Sequence, residues 1–152
     1  MSSFFNNYLF IILAILAGMA MPTQAAVNSK LAGYAGSPIM AAFISFAVGT
    51  AALFVYMVLT GVSLNSAASL KYAPLVVWMG GFLGAFFVSV MVTVVPRIGV
   101  ALAFSLAIGG QMLVTLLIDH FGWLGVQERP MNFYRVIGAA LITVGVILIR
   151  KF

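Results

Sequence analysis

No cysteine occurs anywhere in the chain, and only two of its residues are acidic. The first absence excludes disulfides, thiolate nucleophiles and cysteine-based metal sites. The second, with a single histidine, leaves too few ligands for a metal cluster. No apolar run offers a Ser/His/Asp set or a pair of carboxylates, so neither enzymatic chemistry nor a cofactor is expected. Charge of either sign is scarce: charged residues make up 6% of the chain, against roughly 25% in an ordinary soluble domain. Hydrophobic residues make up 64%. Seven basic and two acidic side chains cannot cover a water-facing surface, so the solvent is expected to be mostly lipid.

The basic residues that are present stand apart from one another: Lys30, Lys71, Arg97, Arg129, Arg135 and the terminal pair Arg150 and Lys151. Each lies at or near the end of an apolar run, where a long cationic side chain reaches the headgroups. No basic patch with interleaved aromatics exists, so nucleic acid is not an expected partner and membrane lipid is.

Five apolar runs predict five membrane-spanning helices, at about 8–31, 38–62, 72–95, 98–118 and 133–150. Each is about long enough to cross roughly 30 Å of hydrocarbon at 1.5 Å per residue. The expected connections are 33–37, 63–71, the pair Pro96-Arg97, and 119–132. No segment is long and polar enough to fold in water, so the fold class is an all-α membrane protein forming one transmembrane domain over residues 1–152. The residues before the first run include no Lys or Arg, so this run is expected to be a retained helix rather than a signal peptide.

Orientation is poorly specified. Lys71, Arg129 and Arg135 fall on one side of the membrane, and Lys30, Arg97, Arg150 and Lys151 on the other. The positive-inside rule works through an imbalance of Lys and Arg in short loops, and here there is almost none. Either a biogenesis factor resolves a weak bias or both orientations insert. An odd helix count makes the second outcome productive, because two oppositely inserted copies form a ten-helix inverted pair. Inverted repeats give many secondary transporters two oppositely facing states around a midplane site.

Several polar or small residues lie inside the runs. Pro22 removes a backbone donor and is expected to kink the first helix. Gln24 and Asn28 are four apart and share a face, either as glue between helices or as the lining of a cavity. In the third run Gly80 and Gly84 make a GxxxG spacing that Gly81 and Ala85 repeat, a pattern suited to close helix packing. Trp78 is either an interfacial tryptophan or an aromatic wall of a pathway. Gln111, next to Gly109 and Gly110, is the polar side chain nearest the middle of any run, and again lines a cavity or serves structure. Asp119 at the end of the fourth run opposes the helix dipole and needs a partner, for which Arg129 and Lys71 are candidates. With His120 it is the one candidate for proton coupling. Gly138 and Gly145 share a face of the fifth helix, a seam for packing within the monomer or against a partner subunit.

These segments together resemble the YdcZ-like five-helix branch of the drug/metabolite transporter superfamily. The matching stretches are Gln24-x-x-x-Asn28, Gly36-Ser-Pro38, Ser45-Phe-Ala-Val-Gly-Thr50 and Pro74-x-x-x-Trp78-Met-Gly-Gly-Phe-Leu-Gly-Ala85. Gly110-Gln111, Ile118-Asp-His-Phe-Gly122 and Arg135-x-x-Gly138 complete the series in order along nearly the whole chain. The resemblance implies a carrier of the bacterial inner membrane, multi-pass, whose five helices form half of a ten-helix inverted fold. An antiparallel homodimer or a sister five-helix subunit would complete it. The chain departs from the superfamily's four-helix multidrug exporters, which bury an acidic residue in helix one. Here the first three runs have no Asp or Glu, which argues against polyaromatic cations as substrates. The expected function is secondary transport, as an exporter, of a small organic solute by alternating access, with Gln24, Asn28, Trp78 and Gln111 contacting the solute. The competing expectation is a structural or accessory membrane subunit, in which all polar groups satisfy one another and no space is enclosed.

Overall fold

The structure, a computed structural model, describes residues 2–63, 67 and 70–151, with the backbone alone for residues 2–7. Five α-helices make up most of it: α1 (Ser2–Ala35), α2 (Pro38–Thr60), α3 (Met79–Ile98), α4 (Val100–Phe121) and α5 (Phe133–Lys151). All five are long and apolar enough to cross a membrane, and no strand occurs among the described residues. The fold is therefore the all-α, multi-pass membrane protein that the composition requires. Hydroxyls along the helices turn inward to their own backbone, as they must where no water is at hand. Thr23 donates to the Met19 carbonyl at 3.0 Å, Ser29 to Ala25 at 2.8 Å, Thr60 to Tyr56 at 2.8 Å and Thr93 to Ser89 at 2.8 Å.

The chain divides into two compact units, Met1–Arg97 and Ile98–Phe152. In the first, α1 runs through Pro22 as a single helix and meets α2 across a very short connection. Ser37 caps α2, its hydroxyl accepting from the Met40 N–H at 3.4 Å, and Pro38 occupies the first helical position, where its missing N–H costs nothing. So short a link makes α1 and α2 antiparallel neighbours. Small side chains buried on both, Ala25, Ala41 and Ala42, let such helices approach closely. Among the described residues, Met91, Val92 and Val95 of α3 are the other buried apolar residues of this unit.

Several helix ends differ from the sequence expectation: α1 runs from Ser2 to Ala35 rather than over 8–31 and α4 ends at Phe121 rather than 118, and two further differences concern α3. The third helix, expected from residue 72, becomes α-helical only at Met79, after a 3₁₀ turn at Leu75–Trp78. Pro74 precedes that turn in extended conformation with no side-chain cap, so the chain enters the helix through a tighter turn. The break expected at Pro96-Arg97 falls instead at Gly99. Pro96 is accommodated within the last turn of α3, and the helical backbone is interrupted at Gly99, whose φ of 83° is open to glycine and costly for other residues.

In the second unit α4 and α5 pack against each other, with Val146 of α5 reaching within 4.0 Å of the space above Gly109 of α4. A 3₁₀ turn, Trp123–Gly125, packs at the end of α4. Phe121 and Trp123 stack with ring centres 5.1 Å apart, both exposed, as expected of aromatics at a membrane–water boundary.

Candidate functional site

The face of α1 that carries Gln24 and Asn28 is where the chain does something unusual. Helical spacing puts these amides one turn apart, with Met21 and Ala25 beside them. Phe87, Val88 and Met91 of α3 close the other side, leaving a crevice of about 10 Å³, room for one water at most. Asn28 is 4% exposed and is buried polar in a surrounding of thioether, aromatic and aliphatic groups. Its Nδ2 is fully enclosed and has no hydrogen-bond partner among the described residues. An orphaned amide of this kind costs about 1–3 kcal/mol, so its retention needs a reason. Gln24, on the same crevice, is exposed. Among the described residues, no charged side chain lines the crevice.

The remaining expected contacts lie elsewhere. Trp78 stands at the end of the 3₁₀ turn before α3, about half exposed. Gln111 lies on α4 in the second unit and is exposed. Of the four, only Gln24 and Asn28 line one crevice.

The small residues expected to serve packing divide in the same way. A side chain at Gly84 would meet the Phe46 ring of α2 at 3.6 Å, so this glycine seats an aromatic between α2 and α3. Gly80, Gly81, Gly138 and Gly145 have open space where a Cβ would lie.

Asp119 and His120 form a different constellation, at the end of α4. The partner of Asp119 is neither Arg129 nor Lys71: Arg135, in the first turn of α5, donates from its guanidinium to Oδ2 at 2.6 Å. Arg129 takes part through its backbone, its N–H donating to the Asp119 carbonyl at 2.7 Å and its carbonyl accepting from Arg135 at 2.9 Å. Lys71 instead lies over the Tyr72 ring at 4.8 Å. Asn132 caps α5, its Oδ1 accepting from the Arg135 N–H at 2.9 Å, and this fixes where that guanidinium starts. His120 Nδ1 accepts from the Met131 N–H at 3.1 Å, which requires the ring to be neutral with its hydrogen on Nε2. Both side chains thus hold the α4–α5 loop in place. Between the helices on this side lies an open groove of about 280 Å³ that Asp119 and Arg135 border together with Met112, Thr115 and Gly138.

Sequence reasoning missed two things: Arg135 as the ion partner, and the apolar wall that α3 sets against Asn28. The first was signalled by Asn132, which starts a helix three residues before an arginine. The second had no sequence signal beyond ordinary apolar residues.

Comparison with known proteins gives one result. A family model described as "Putative inner membrane exporter, YdcZ" matches residues 9–148, nearly the whole chain. No curated protein and no solved structure matches it.

Proposed function

The chain belongs to the YdcZ family of inner-membrane exporters, and on that premise we propose that it is one five-helix half of a secondary transporter for a small organic solute. A second copy inserted in the opposite orientation, or a sister five-helix subunit, completes the pathway. Gln24 and Asn28 contact the solute, joined by Trp78 and Gln111 in the assembled carrier, and rocking of one half against the other exposes the site to each side in turn.

The observation that carries this reading is the buried, unpaired amide of Asn28 in a crevice shared with exposed Gln24. Amides within membrane spans face lipid only at a cost, so Gln24 and Gln111 call for a covering surface that one chain leaves undone. A purely structural subunit would be expected to satisfy its polar groups internally, and Asn28 does not. Asp119 and His120 remain the coupling candidates: a proton taken up by either would loosen the loop they hold.

Because the natural chain is free of cysteine, a single introduced thiol reports its own surroundings. Asn28→Cys is expected to react with a membrane-impermeant maleimide applied to either face of the membrane. Ala41→Cys, at a position with no exposure, is the sealed control. An Asn28→Cys thiol as unreactive as the control from both faces would remove the pathway.

A further inference from the structure

We propose that the crevice beside Asn28 selects uncharged solutes that carry a hydrogen-bond-accepting oxygen, and that this oxygen, rather than a cationic centre, is what the protein recognises. The inference rests on the transport reading and adds the class of solute.

Three features argue for it. The unpartnered atom is a donor: Nδ2 of Asn28 is enclosed and has no hydrogen-bond partner among the described residues, and the group that relieves it must supply a lone pair. The crevice is about 10 Å³, enough for the tip of a molecule and no more, which suits a single oxygen such as that of a carbonyl. Among the described residues, its walls bear no charge. Met21, Ala25, Phe87, Val88 and Met91 would leave an ammonium without a counter-ion and an anion with one amide for company, so an ion entering this surrounding would lose its hydration for almost nothing. The body of the solute then lies toward Gln24, an exposed residue of the same crevice.

Such a site discriminates through what it leaves unpaired. An analogue of equal shape that lacks the acceptor keeps the apolar contacts and leaves Nδ2 as empty as before. Selectivity therefore depends on one atom of the solute and one of the protein.

The test uses the purified full-length chain and three probes of similar size: acetophenone, which ends in a carbonyl; ethylbenzene, which lacks it; and benzyltrimethylammonium, which is cationic. Equilibrium binding by saturation-transfer NMR is expected to rank acetophenone at least tenfold above the other two. In Asn28→Leu, and in the smaller Asn28→Ala, the advantage over ethylbenzene is expected to fall to nearly nothing while helicity by circular dichroism is kept. A wild-type chain without preference for acetophenone, whether all probes bind alike or none binds, overturns the proposal. So does a preference that survives both substitutions, or one for the cation. Thiol labelling at position 28 separates the two ideas. A reactive thiol without acceptor preference leaves transport standing and removes the solute class, whereas acceptor preference with a sealed thiol removes the pathway alone.

Discussion

At the scale of single residues, Asn28 and Asp119 show two ways of treating a polar group in a lipid-embedded chain. Asp119 is engaged, its side chain by Arg135 and its backbone by Arg129, whereas Nδ2 of Asn28 is enclosed with no hydrogen-bond partner among the described residues. The two should respond to substitution in opposite directions. Asn28→Leu removes an unsatisfied donor and is expected to raise thermal stability in detergent by about 1 kcal/mol while ending transport, a trade of function for stability. Arg135→Gln is expected to lower stability, but by no more than about 1 kcal/mol, because both partners are about a fifth to a quarter exposed. A double-mutant cycle with Asp119→Asn measures that coupling; a value well above this would mean that the pair is more deeply desolvated than its exposure indicates. Gln111→Leu is expected to abolish solute binding while leaving the subunit association, read by cross-linking, unchanged. A fully active Gln111→Leu protein would take Gln111 out of the site.

At the scale of elements, helix ends decide the architecture, and they are held by local chemistry. Gly122 turns the chain at the end of α4 with φ of 61°, and a Cβ there would approach the Val126 carbonyl to 3.4 Å. Gly122→Ala is expected to destabilise the α4–α5 loop by about 1 kcal/mol or somewhat more, seen as faster amide exchange in residues 123–132 with α4 and α5 unaffected. The presence of five spans was legible in the sequence because an apolar run of twenty residues has few other fates. The cap at Ser37-Pro38 was legible too. The 3₁₀ entry into α3 and the helix break at Gly99 were not, since a proline such as Pro96 reads as a break whether it ends a helix or is absorbed in its last turn. Helical spacing placed Gln24 and Asn28 on one face. It carried no information about which of the two would be sealed, because that depends on α3, whose wall residues look like any others.

At the scale of the whole molecule, little of the chain is buried by itself. Only seven apolar residues and Asn28 are buried among the described residues, and a Cβ at Gly138 or Gly145 of α5 would meet open space. Lipid covers most such surface at no cost, so the small-residue seams and the open amides are the places where a second subunit would matter. The near balance of basic residues, three against four, predicts that one added charge is decisive. Reporter fusions at the C-terminus are expected to give signal on both sides of the membrane for the natural chain and on one side after a single Lys is added to a connection. A fixed orientation in the natural chain would favour a sister subunit over a second copy.

The apolar run of α1, about residues 8–31, is about 36 Å long at the usual helical rise, set in a hydrocarbon layer of roughly 30 Å. That excess has to be absorbed by leaning or by local swelling of the lipid. Since Asn28 rides on this helix, acyl-chain length becomes a hand on the crevice: thick membranes would stand α1 upright and thin ones would lay it over. Turnover in vesicles graded by chain length should therefore pass through an optimum.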